Sequence, residues 1–201
     1  TDISDGSRGI AVITDCKYGY SVKEKKLSLN LIRSAEYGGC KFIHGNTSEG
    51  EYNHDFTDQC THIFSYAVYW HKNDYKNSDL IKKAYEFNIP VFVQKGKKAI
   101  KNTKELCKSK SFFFLDHDGV ILETVKKPYK GAGLIIRMYE SKGQTCRCSL
   151  QVNVPYDKTV ETDLQENSER EVDIRNLTFT PYEIKTIRIE RAEPYFFWKT
   201  V

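Results

Sequence analysis

The chain has 201 residues, of which 39% are hydrophobic, 13% aromatic and 29% charged, and its net charge is +4. That length predicts one or two domains, and that much apolar and aromatic material excludes wholesale disorder. The charge is too mild for a nucleic-acid-binding domain and no run approaches about 18 apolar residues, so neither nucleic acid nor a membrane is an expected partner.

The chain begins at Thr1, its one Met is Met138, and no basic-then-apolar leader opens it. These features predict a piece of a longer or processed polypeptide without a secretory signal.

The first third is strand-like. Gly9–Ile13 is a short apolar run that ends at Thr14 and Asp15, and Lys26–Arg33 alternates, with Leu27, Leu29 and Leu31 on one face. Tyr18 to Ser21 between them is a turn signal, so the two runs are expected to pair as a hairpin or meander. Residues 35–60 have no period and read as a long loop, of a length that is usually functional or disordered. His62–Trp70 alternates again and is rich in aromatic and β-branched residues, which predicts a strand.

Residues 78–89 switch to helical spacing, with Leu80, Ala84 and Phe87 on one face, a cap at Ser78 or Asp79 and a stop at Pro90. Residues 95–110 carry seven Lys against one Glu and read as an exposed connector, which places a domain boundary at 108/109. Strands are then predicted at Ser111–Leu115, Val120–Val125, Leu134–Tyr139, Cys146–Val154, Thr159–Asp163, Glu171–Ile174, Leu177–Phe179 and Tyr182–Ile189. Turn signals separate them at intervals of about 8–12 residues, which predicts antiparallel β-sandwich architecture. The expected class is mainly β, with one short helix.

No established catalytic motif is present: there is no P-loop, H-E-x-x-H, G-x-S-x-G or C-x-x-C. Cysteines stand at 16, 40, 60, 107, 146 and 148. Cys146 and Cys148 lie two apart in a strand, about 6.6 Å between Cα atoms, near the upper limit for a disulfide, so free thiols are expected. Cys40, His44, His54, Cys60 and His62 put five metal-capable donors in 23 residues, but their spacing matches no common zinc pattern, and no metal site is assigned. Asp116, Asp118 and Gly119 read as a hairpin turn rather than a calcium loop, because no bidentate Glu follows at the required position. The Lys run lacks the interleaved aromatics of a single-strand binder. Glycoside hydrolysis needs two carboxylates flanking a bond, and Asp15, Glu123 and Glu140 form no such sequence-local pair, so no catalytic residue is assigned in this chain.

Several segments together carry a resemblance. Gly9-Ile-Ala-Val-Ile-Thr-Asp-Cys-Lys-Tyr-Gly19, then Leu27–Ser34, His62–Ala67 with His71, Gly119–Lys127, Leu134–Glu140 and Asn176–Lys185 stand in the order of the C-terminal β region of family 38 α-mannosidases, and the chain resembles the cytosolic and vacuolar branch of that family. It departs from the pattern at Thr14, where the family has Asn, at Ile63, where it has Glu, and in the long 35–60 loop. The resemblance implies a parent enzyme that removes α-linked mannose from mannose-containing oligosaccharides by a zinc-dependent, retaining mechanism. Zinc and nucleophile would lie in an N-terminal catalytic barrel, the expected partner, leaving no cofactor in this chain and no activity for it alone. The implied location is cytoplasmic, or else vacuolar or lysosomal.

On this reading residues 1–108 end the large β-sandwich domain, 109–192 form the small C-terminal sandwich and 193–201 are an aromatic tail. The first candidate to reach into the substrate cleft is Arg33, whose guanidinium could fork onto sugar hydroxyls, followed by Asp15, Lys17 and Tyr18 of the D-x-K-Y-G turn. A free-standing carbohydrate-binding or protein-interaction β module is the alternative, with Tyr52, Tyr69 and Trp70 as its aromatic patch.

Overall fold

The structure is a computed structural model and describes residues 1–24, 26–35, 56–95, 109–167 and 170–190. Two compact units divide the chain, Thr1–Phe92 and Val93–Val201. Most of the 35–60 loop, the Lys-rich segment 96–108 and the 193–201 tail lie outside the described residues.

The first unit contains β1 (Asp2–Ser4), β2 (Arg8–Thr14), β3 (Tyr20–Lys23), β4 (Lys26–Leu29) and β5 (Tyr66–Lys72), followed by a 3-10 turn at Tyr75–Asn77 and helix α1 (Leu80–Asn88). Strands β1, β2 and β5 form an antiparallel sheet in that order, and β3 and β4 form a separate hairpin. The expected pairing of Gly9–Ile13 with the Lys26 strand is therefore corrected: β2 pairs along its whole length with β5, more than 50 residues away. Asp15 is the local reason. Its backbone N–H donates to the Ser65 carbonyl at 3.2 Å and its carboxylate accepts from the Ser65 N–H at 2.8 Å, which zips β2 to the entrance of β5.

Period two in β2 sends Ala11 and Ile13 to one face, where Leu80, Ala84 and Phe87 of α1 pack on them with Ala67 and Tyr69 of β5. The helix starts where the Ser78 hydroxyl accepts from the Leu80 N–H at 3.3 Å. Asp79 is engaged elsewhere, accepting from the Tyr69 hydroxyl at 2.7 Å, and this bond ties helix to sheet. The Ile89 N–H closes the last turn on the Tyr85 carbonyl, and Pro90, with no N–H of its own, ends the helix.

The second unit contains β6 (Phe113–Leu115), β7 (Val120–Lys126), β8 (Leu134–Glu140), β9 (Cys146–Cys148), β10 (Leu150–Val152), β11 (Lys158–Thr162), β12 (Arg170–Glu171), β13 (Leu177–Phe179) and β14 (Ile184–Glu190). A five-stranded antiparallel sheet runs β12-β11-β14-β8-β7, and two short ladders, β10-β6 and β13-β9, supply the opposing layer. Ile136 and Met138 of β8 and Ile187 and Ile189 of β14 meet Cys148, Leu150, Leu177 and Phe179 in one buried cluster. Each such large side chain contributes about 1.5–3 kcal/mol when fully buried. This is the β-sandwich that the alternating runs predict.

Two expectations within it are corrected. Cys146–Val154 is not one strand: β9 pairs with β13 and β10 with β6, and the break falls at Ser149, whose N–H donates to the Asp116 carboxylate at 2.6 Å. The Asp116–Gly119 turn is likewise no hairpin, because β6 and β7 belong to different ladders and the chain crosses from one layer to the other there. At Gly133, φ is +112° and a side chain would meet the Ile189 carbonyl at 2.1 Å, so only glycine lets β8 start so close to β14.

The end of β8 carries a buried charge. Glu140 is 0% exposed, and its carboxylate accepts from the backbone N–H groups of Lys142 (2.8 Å), Gly143 (2.7 Å), Gln144 (3.1 Å) and Tyr182 (3.0 Å). Burial pushes the carboxyl up, but the four amides outweigh it and hold it below its ordinary value. The folded state therefore gains stability above the unfolded carboxyl value of about 4.3 and loses it as pH falls through the lowered one. Glu140→Gln puts an amide donor among four donors. It is expected to cost about 3 kcal/mol and lower the melting temperature of the second unit by about 10–20 °C at pH 7. Calorimetric melts at pH 7 and pH 3 check both effects, with the gap between wild type and variant narrowing in acid.

Candidate functional site

Three of the four cleft candidates lie in one turn. β2 ends at Thr14, whose hydroxyl accepts from the Lys17 N–H at 3.1 Å, so the chain reverses before β3 begins. Asp15, exposed at this corner, is held below the ordinary carboxylate value by the Cys16 thiol and the Ser65 amide. The same contact pushes the Cys16 thiol up. The Lys17 ammonium sits 5.0 Å from the centre of the Phe64 ring, a cation–π contact across to the segment that leads into β5. Tyr18 is 81% exposed.

Arg33 stands apart. β4 ends at Leu29 rather than at Arg33, and the exposed segment that follows carries Arg33 past the hairpin. No hydrogen bond or ion pair among the described residues joins Arg33 to Asp15, Lys17 or Tyr18. Chemically, then, the turn offers one carboxylate committed to Ser65, one cation resting on an aromatic ring and one free phenol.

Tyr18 opens onto a groove of about 990 Å³ between the N-terminal strands, β3 and α1, with Ile3, Tyr20, Tyr75, Ile81 and Tyr85 among its walls. Asp2 is the one carboxylate in that lining, and it is already paired. The groove can offer aromatic faces and hydroxyls, but it holds no two carboxylates that could flank a glycosidic bond.

The pairing of Asp2 is the feature that sequence reasoning missed. The His71 ring lies over Gly9, and its Nε2 is 2.7 Å from the Asp2 carboxylate, with the His71 side chain 1% exposed. A Cβ on Gly9 would meet the ring at 2.4 Å, so the small residue opposite His71 makes room for the latch. The readable signal was a lone Gly in register with a strand His. Asp2 itself gave none, because β1 is only three residues long.

Among the described residues, no three His, Cys, Asp or Glu side chains converge on a possible metal position. Cys60 and His62 are neighbours, Sγ to Nε2 3.7 Å, with the imidazole also 2.9 Å from the Asp58 carbonyl, while Cys40, His44 and His54 lie outside the described residues. Cys16, Cys60, Cys146 and Cys148 are free thiols, and burial pushes Cys148 up to about 12, which makes it an inert core group. Tyr69 and Trp70 do not share a patch: adjacent strand residues point to opposite faces, and Tyr69 turns inward to Asp79 while Trp70 is 74% exposed.

Burial disfavours the charged form of His71, but Asp2 and the Lys72 carbonyl outweigh it and raise the imidazole above its ordinary value. Its contribution is therefore complete below the unfolded value of about 6.5 and is lost as pH rises through the raised one. The first unit should melt at a lower temperature at pH 9 than at pH 6. In His71→Gln that pH dependence should flatten, with a loss of about 1–3 kcal/mol at pH 6. Thermal denaturation across this range checks it.

Comparison with known proteins places both units. Residues 119–187 match the family description "Glycosyl hydrolases family 38 C-terminal beta sandwich domain", and residues 1–38 match "Glycosyl hydrolases family 38 C-terminal domain". Alpha-mannosidase 2C1 of Homo sapiens is 27% identical over 96% of this chain and 18% of its own length. Alpha-mannosidase G of Dictyostelium discoideum is 25% identical over 93% of this chain and 16% of its own. The chain thus spans about a sixth of the length of the curated relatives it matches. The crystal structure of an alpha-mannosidase from Enterococcus faecalis V583 shares the fold, with a TM-score of 0.69 over 94% of this chain and 20% of that one, at 18% identity.

Proposed function

The chain belongs to the C-terminal β region of the family 38 glycosyl hydrolases, and from that premise we propose that it is the non-catalytic support of an α-mannosidase. It packs on an N-terminal catalytic part and holds the wall of a cleft that takes mannose-containing oligosaccharides. The observation that carries this reading is one of proportion. The relatives align along nearly the whole of this chain, yet more than four-fifths of each lies outside the match. The chemistry is assigned to that remainder.

The zinc implied for the parent enzyme is assigned to that catalytic part, and among the described residues no three His, Cys, Asp or Glu side chains converge to hold one. What these residues do is mechanical. The Asp15–Ser65 bonds fix the turn that carries Lys17 and Tyr18, the His71–Asp2 bond ties β1 to β5 across β2, and a rigid turn is what a cleft wall requires. Exposed free thiols at Cys16 and Cys60 suit a reducing, cytoplasmic setting. A sugar-binding module is the second reading, and the tyrosine-lined groove favours it.

A chromogenic α-mannoside tests the proposal. The full-length gene product should cleave it, and the purified 201-residue chain should release no product above buffer. Cleavage by the chain alone overturns the support role. Tight mannose binding by the chain alone in calorimetry, lost in Tyr18→Ala, would favour the module reading instead.

A further inference from the structure

One face of the first unit's sheet carries exposed apolar side chains. Ile10 stands opposite Trp70 and Val12 opposite Val68, so these side chains share the face turned away from α1, together with Tyr66. Trp70, Tyr66 and Val68 are 74%, 56% and 53% exposed. β5 is also the last strand of its sheet among the described residues, so the N–H and C=O groups of its outer edge meet no neighbouring strand.

Natural edge strands are protected by charge, proline, bulges or short length. β5 is seven residues long and pairs with β2 without a register shift, its His71 turns inward to Asp2, and its other basic residue, Lys72, stands at the very end. An aromatic face and an open edge on the same unprotected strand mark a surface that is covered in use.

The occupant follows from chain length. Residues 1–38 match a C-terminal domain, while more than four-fifths of the curated relatives lies outside the segment they share with this chain. We infer that the outer face and edge of β5 seat an apolar β layer from the preceding part of the same family protein, which adds its strand beside β5 and closes over Tyr66, Val68 and Trp70. This rests on the reading of the chain as the C-terminal support of a longer enzyme, and it names the surface that makes the contact.

The test places Val68→Lys with Trp70→Lys in two proteins, the 201-residue chain and the full-length gene product, with Tyr129→Lys, an 83% exposed site in the second unit, as control. In the short chain the double variant should leave the melting temperature within about 2 °C of wild type, because both side chains already face water. In the full-length protein it should lower the melting temperature by about 5 °C or more and speed amide exchange along β5 by about tenfold, while the control changes neither. Equal small effects in the two proteins overturn the inference. Equal large losses overturn it too, since the cover would then lie within the short chain. Self-association of the short chain that the double variant abolishes assigns the face to a second copy and overturns it as well. Mannoside cleavage by the wild-type full-length protein is scored separately, so that the enzymatic reading and the face assignment fail on different measurements.

Discussion

A single buried carboxylate organises the C-terminal sandwich. Glu140 ends β8, which runs between β14 and β7, and the four amides that surround it come from two loops far apart in sequence, 142–144 and 182. The cost of burying the charge is met by filling its lone pairs with backbone donors. Those donors are presented only if both loops take left-handed backbone, and they do, with φ of +67° at Gly143 and +60° at Tyr182. For a non-glycine residue such as Tyr182 that conformation costs about 1–2 kcal/mol, which the charged hydrogen bond offsets. The Glu140 N–H in turn donates to the Glu183 carbonyl, and from that point β8 and β14 run in register as far as Leu134 and Ile189.

A second buried charge works beside it. Lys185, 8% exposed, reaches Glu183 at 2.8 Å and Glu161 at 3.0 Å, with the Phe179 ring 5.5 Å from its ammonium. Among the described residues this unit thus gathers one apolar cluster and pairs the buried charges of Glu140 and Lys185. The first unit differs. Among the described residues its buried core is Ala11, Ile13 and Leu80, with partial cover from a few neighbours, and its other sheet face carries the exposed Tyr66, Val68 and Trp70.

The alternation of side chains made most strands legible. Leu134–Tyr139, Val120–Val125 and Leu177–Phe179 are found within a residue of expectation, and Leu80, Ala84 and Phe87 set the helix. Partnership was not legible. Nothing in Gly9–Ile13 says that its neighbour begins at Tyr66, because that pairing depends on Asp15 finding Ser65 50 residues later. The split of Cys146–Val154 was hidden for the same reason: Ser149 continues the alternating pattern and is pulled out of it by a distant carboxylate, Asp116. At the candidate site the D-x-K-Y-G turn could be read from its residues. The displacement of Arg33 could not, since its strand stops where the short hairpin partner β3 runs out.

The support role proposed for this chain rests on rigidity, and the rigidity is concentrated where charge is buried. Amide hydrogen exchange of the 201-residue chain, read residue by residue by NMR, tests this most directly. The Lys142, Gly143, Gln144 and Tyr182 amides lie in loops, yet they should exchange as slowly as the core amides of β8 and β14, opening only when the whole sandwich unfolds. Exchange of these four within minutes, at the pace of ordinary loop amides, would show that the carboxylate does not hold the structure and would contradict the account.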